Sequence, residues 1–304
     1  MKKLFFILCL GGLITSCEKN DLTEIDQNQI HLEEISKINS YENVESFMQA
    51  YNEFANTDPE TLENISFYSI EKDNLEYSPA LQAILNDDHQ VIIDNKLILF
   101  KEGKFYEVDE KQNKSLKEIG SVSINKINSN LNLEEEKGTV AISNQWAFYK
   151  QRHELNCGAG PVEGPSPRRF KYVHEAYAEE VQLNLVYNYN LLLRVKLEYN
   201  SSGSRWRLSG ERRNININLT NSSYLLDYAR RPITYFNGVY VANLRRNISF
   251  NSACSTHQTI PLTTYDRMPG PLPNIGWDVT VSGTITEKMY GDVESNRWTD
   301  QVNW

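Results

Sequence analysis

The chain has 304 residues, 40% of them hydrophobic, and a formal net charge of −9. That apolar content is enough for packed cores and excludes disorder along the whole length. The acidic balance excludes a protein that works by neutralising phosphates, so nucleic acid is not an expected partner.

Lys2 and Lys3 precede an apolar run from Leu4 to Ile14. A membrane-spanning helix needs about 20 such residues, so this run reads as an export signal. It ends Leu13-Ile14-Thr15-Ser16-Cys17, which resembles a lipobox. The resemblance implies removal of residues 1–16, attachment of diacylglycerol to the Cys17 thiol, and acylation of the new amino terminus. Two or more acyl chains anchor a protein stably where one does not. The expected address is therefore the outer membrane or the cell surface, with the membrane itself as a partner through the lipid. Residues 17–39 read as a tether. Its Glu18-Lys19-Asn20-Asp21 start, followed by Glu24 and Asp26, is similar to the surface-export signal of Bacteroidota-type lipoproteins.

Charge divides the remainder of the chain in two. Residues 18–138 hold 26 acidic and 11 basic side chains, all the basic ones lysine, for a net −15. Residues 139–304 hold 14 acidic and 18 basic, 14 of them arginine, for a net +4. The asymmetry predicts two domains with a boundary near 138.

Residues 40–110 are expected to form a small α+β domain. Val44, Phe47, Met48, Tyr51 and Phe54 make one apolar stripe at helical spacing, with Ser40 as the expected cap. Asp58-Pro59 starts a second short helix, and Ser78-Pro79 a third. Apolar runs 91–93, 97–100 and 105–108, separated by Asp94-Asn95 and Glu102-Gly103, predict a three-stranded meander. The order of a helix, "FYSIE", "SPALQAILN" and a "VIIDNKLILF" hairpin resembles the amino-terminal region of uncharacterised Bacteroidota lipoproteins. That family brings no catalytic residues with it. Residues 111–138 are polar and read as a linker, with Ile119, Val122, Ile124 and Ile127 able to form an edge strand.

Residues 139–304 are expected to form an all-β domain, an antiparallel β-sandwich. From Val181 to Tyr199 every odd position is apolar, which means one long strand or two joined by a bend at Asn188–Asn190. The phase then flips, with Trp206 and Leu208 even but Ile215, Ile217 and Leu219 odd, so Ser209-Gly210 is expected to turn the chain. Further strands are expected at 233–241, 245–250 and 277–287.

Once Cys9 leaves with the signal and Cys17 carries lipid, Cys157 and Cys254 remain, and an oxidising envelope favours their pairing. Loop-closure entropy puts such a bridge at about 4–5 kcal/mol before strain. The alternative is a thiol–imidazole pair of Cys157 with His153 or His174. His174-Glu175 invites comparison with a zinc helix, but the second histidine four residues on is missing, so no metal is expected. Asp87-Asp88 reads as a solvated turn. No phosphate loop, G-x-S-x-G or H-E-x-x-H occurs, and neither an enzyme nor a cofactor is expected.

If Trp206, Leu208, Ile215, Ile217 and Leu219 point inward, then Arg205, Arg207, Arg212, Asn214, Asn216 and Asn218 point outward on one surface. Guanidinium forks match carboxylate, sulfate or phosphate, and amides pair with sugar hydroxyls. The alternative for that row is a solvated face that discourages aggregation. The expected function is a non-enzymatic binding module for a glycan or other anionic ligand. The alternative is a structural or assembly component of the envelope that holds a protein partner.

Overall fold

The computed structural model describes residues 38–57, 77–109, 115–126, 142–150, 168–202, 205–233, 246–253, 257–270, 272 and 276–304. The lipobox with Cys17, the tether as far as Lys37, the Asp58 helix, residues 234–241 of an expected strand, and both Cys157 and Cys254 lie outside the described residues.

A short strand β1 (Ser40–Tyr41) leads into helix α1 (Val44–Asn56), and a second helix α2 (Pro79–Ile84) follows. Asn43, not Ser40, caps α1, its side chain accepting from the Ser46 amide at 2.8 Å. Ser40 is instead in β1, paired beside Ile92. Ser78 caps α2 as expected, through the Leu81 amide. The meander is β2 (Gln90–Ile93), β3 (Lys96–Lys101) and β4 (Lys104–Asp109). Its turns hold Asp94, Asn95, Glu102 and Gly103 at positive φ, the backbone that tight hairpins require.

The expected linker contains β5 (Ser115–Lys126), and this strand is not at an edge. It pairs with β4 on one side and with β7 (Arg168–Leu183) on the other. The same sheet therefore crosses the expected domain boundary, and Ile38–Trp304 forms one unit. At Gly120 a Cβ would sit 2.2 Å from the Gln182 carbonyl oxygen, so only glycine lets β5 lie this close to β7.

β7 and β8 (Val186–Ser202) form a long hairpin that turns at Asn184–Leu185, four residues before the expected bend. Along β7 the neighbour changes. β6 (Ser143–Lys150) borders its first half and β5 its second. Along β8, β9 (Arg205–Leu208) borders the far end and β13 (His257–Pro269) the rest. A second sheet has the order β12 (Arg246–Ala253), β10 (Arg213–Asn221), β15 (Val281–Met289), β16 (Trp298–Asn303). A third, of two strands, pairs β11 (Tyr224–Leu226) with β14 (Gly276–Asp278).

Apart from the two helices and one helical turn, every described element is a strand, in keeping with the expected all-β region. Ala176, Leu191, Leu193 and Val195 of the ten-stranded sheet share a core with Ile215, Ile217, Leu219, Phe250, Ile285 and Val302 of the four-stranded one. On the other face of the large sheet, Val181 and Leu183 pack with Phe47, Met48, Tyr51, Leu81, Ile84 and the meander. The helices and meander thus extend the large sheet and cover part of it.

Candidate functional site

β10 is the centre of the four-stranded sheet, and the pleat sends its residues alternately to opposite faces. Arg213, Ile215, Ile217 and Leu219 are buried, while Asn214, Asn216, Asn218 and Thr220 are exposed. Strand register carries the outward phase to the neighbours. One row reads Asn247, Asn218, Thr284, Gln301, and the next Ser249, Asn216, Thr286, Thr299. Thr220 continues through Ser282 to Asn303, and Asn214 stands opposite Lys288. Twelve of these thirteen positions end in an amide or hydroxyl. The single charge, Lys288, is at the margin and pairs with Glu294 at 2.7 Å.

Sheet geometry spaces these groups about 4.8 Å across strands and about 6.8 Å along them. Within one row, the Thr286 and Thr299 hydroxyls bond to each other between neighbouring strands at 3.1 Å. Each amide both donates and accepts, so the face offers both halves of a hydrogen bond at regular intervals.

Of the six residues expected on one surface, all are exposed, but the structure separates them. Asn214, Asn216 and Asn218 form the middle of the amide face. Arg205 and Arg207 belong to β9, in the ten-stranded sheet, and Arg212 lies in the segment that crosses between sheets. The turn expected at Ser209-Gly210 is this crossing, so the two strands it joins cannot share a face. Trp206 and Leu208 also differ from expectation. They pair with Asn200 and Glu198, and Trp206 stands beside Arg169 and Lys171 on the outward side.

Behind the amide face is a buried ionic bracket that sequence reasoning missed. His174, on strand β7 rather than a helix, donates from Nδ1 to Asp300 and faces Glu287 Oε1 with Nε2, both at 2.8 Å. Glu287 Oε2 is 3.2 Å from Arg213 Nη1, and Arg213 Nη2 donates to the Val195 carbonyl at 3.1 Å. Asn144 donates to Asp300 at 2.9 Å. Trp298 stacks on the imidazole with centroids 4.4 Å apart. Burial opposes charge on His174, but the bonds to Asp300 and Glu287 outweigh it and hold its pKa above the ordinary value. Each ring nitrogen faces a carboxylate oxygen, an arrangement that favours the imidazolium, which donates from both. No nitrogen is left for a metal. Two cations thus meet two carboxylates in one buried cluster.

A second buried group is Glu179, under the helices. It accepts from the Tyr51 hydroxyl and from the Ser78 amide at 2.9 Å, while Asn190 donates to the Tyr51 oxygen at 3.0 Å. Burial raises the Glu179 pKa, and the bonds from Tyr51 and Ser78 oppose the rise. Glu179 is 1% exposed and His174 fully buried, so both hold elements together rather than face a ligand. The only sequence signal for either was a charged residue inside an apolar strand.

No protein-family model matches the chain, and no curated protein matches it. Among solved structures it is similar to a DUF4848 family protein from Bacteroides thetaiotaomicron, with 11% identity and a TM-score of 0.21 over 88% of this chain and 97% of that one. It is also similar to the KRT10-binding region domain of the pneumococcal serine rich repeat protein PsrP, with 12% identity and a TM-score of 0.15 over 54% of this chain and all of that one. Scores of this size carry neither fold nor function from those proteins to this chain.

Proposed function

We propose that this chain is a lipid-anchored envelope protein, held at the outer membrane or cell surface by Cys17, that binds a glycan without transforming it. The two large sheets, with a shared core between them, act as a β-sandwich that backs the binding face. The amide face of the four-stranded sheet is the observation that carries this reading. Sugar hydroxyls donate and accept as amides and hydroxyls do, and cross-strand spacing is close to the length of one sugar ring. The separation of Arg205 and Arg207 from the asparagines makes the expected glycan neutral at this face. Support for a non-enzymatic role comes from His174 and Glu179, whose acid–base capacity is saturated by buried partners.

The test is retention of the full mature chain on a panel of neutral polysaccharides. Asn216→Asp with Asn218→Asp puts two carboxylates at the centre of the face without touching the core, and is expected to weaken retention about tenfold or more. Normal retention by the double variant, or no retention of the parent on any neutral glycan, overturns the reading. Capture of one envelope protein by cross-linking, without glycan binding, favours the structural role instead. The anchor is tested separately, since Cys17→Ser is expected to abolish partition into detergent.

A further inference from the structure

The outward face of the ten-stranded sheet, at the end formed by β6, β7, β8 and β9, has the opposite chemistry. Four cations and two carboxylates project from β7 and β8. Glu175 bonds Lys196 at 3.0 Å and Arg194 at 3.3 Å, and Glu198 bonds Lys171 at 2.7 Å with Lys196 also 3.7 Å away. These pairs consume both carboxylates. The surplus is positive, on a chain whose total charge is −9.

The surplus is concentrated around one indole. Lys171 Nζ lies 4.7 Å, and the Arg169 guanidinium carbon 5.5 Å, from the Trp206 ring centroid. Lys171 is neutralised by Glu198, whereas among the described residues Arg169 meets no carboxylate. Arg169 is exposed, and its cross-strand neighbour Tyr149 is 64% exposed. An exposed guanidinium fork thus lies on the sheet surface, with Tyr149 at the paired position of the neighbouring strand and the Trp206 indole on the other side. The strands fix the spacing, and cation–π contact holds the guanidinium beside the indole.

We propose that Arg169, Tyr149 and Trp206 form a second binding site, for an anionic pyranose bearing carboxylate or sulfate. Arg169 takes the anionic group bidentately. Tyr149 packs against the apolar C–H face of the ring, and the Trp206 indole edge bounds the site on its other side. The one positive charge left over among Lys171, Arg194, Lys196, Glu175 and Glu198 adds a field that favours a chain with repeated negative charge over a neutral one. The site is on the other sheet from the amide face and does not depend on that face binding anything.

The experiment is calorimetric titration of the full mature chain in detergent with a galacturonate tetramer, a chondroitin sulfate tetramer and neutral xylotetraose. At least one acidic oligosaccharide is expected to bind, more weakly as salt rises, and xylotetraose is expected not to bind here. Arg169→Gln is expected to weaken acidic binding about tenfold or more, and Tyr149→Ala several-fold. Both residues are exposed, so neither variant disturbs the core. The Asn216→Asp, Asn218→Asp variant is expected to bind acidic sugars as the parent does, which separates this site from the amide face. Binding of neither acidic probe, or unchanged binding in Arg169→Gln, overturns the proposal.

Discussion

His174 and Asp300 share a 2.8 Å hydrogen bond that ties the longest hairpin of one sheet to the last strand of the other. Asp300 also accepts from Asn144 on β6, so three strands meet at one carboxylate. Removing the imidazolium leaves two buried carboxylates, Asp300 with only Asn144 and Glu287 with only Arg213 of the partners described above. His174→Gln is therefore expected to cost about 3–5 kcal/mol, as loss of one partner from a buried ionic group does. Urea unfolding measures it. A cost below about 1 kcal/mol would mean that the bracket is not needed to join the sheets.

The same residue sets a pH dependence. Its folded pKa lies above the ordinary value of 6.5, so the folded state holds this proton more tightly than the unfolded state. The resulting stability is complete below pH 6.5 and declines as pH rises through the folded pKa. Thermal midpoints between about pH 6 and 9 are expected to fall on the alkaline side. His174→Gln should lose that slope, and an equal slope in both proteins would remove His174 as its cause.

Glu179 contributes a slope at lower pH. Burial raises its folded pKa above 4.5, so protonation is favoured more in the folded chain. Stability from this group falls as pH rises from 4.5 through the folded pKa and is level above it. Glu179→Gln, which keeps the shape without the charge, is expected to be neutral or stabilising at about pH 7. Tyr51→Phe removes a donor to Glu179 and is expected to cost about 1–3 kcal/mol. If Glu179→Gln is the more damaging of the two under denaturant, the carboxylate is ionised and needed as such.

Three glycines give a graded test. A Cβ at Gly283, where φ is +136°, would sit 2.2 Å from the Asn218 carbonyl oxygen, and Gly120 is equally crowded against Gln182. Gly270 has φ +78° but open space around it. Gly270→Ala is expected to cost about 1 kcal/mol from backbone strain alone. Gly120→Ala and Gly283→Ala add steric clash and should cost clearly more, about 2 kcal/mol or above. Equal melting points across the three would contradict the close strand approach.

Much of the strand content was legible, because the meander carries its turns in its letters. Asp94-Asn95 and Glu102-Gly103 tolerate the positive φ they adopt. The β7–β8 turn was not legible for a physical reason. Val181 and Leu183 face the helices whereas Leu191, Leu193 and Val195 face the second sheet, so both sides are buried and odd-numbered apolarity runs straight through Asn184–Leu185. The linker reading of β5 failed because a strand's neighbours lie far away in sequence, and charge composition does not report them. The asparagine row was legible from alternation alone. Its separation from Arg205 and Arg207 was not, since a local pattern cannot tell a turn within one sheet from a crossing to another.

The hairpin of β7 and β8 also dictates an order of events as the chain is made. Synthesis delivers the helices and strands β2 to β5 first, and they can pair among themselves. Their assembly still lacks Val181 and Leu183 for its apolar cluster, and Glu179 for the hydroxyl of Tyr51. Strand β5 keeps an open edge until residues 177–183 arrive to cover it. The amino-terminal helices and meander thus wait, sticky and unfinished, for a segment made later, so the vulnerable interval of this protein is the time between the emergence of β5 and that of β7.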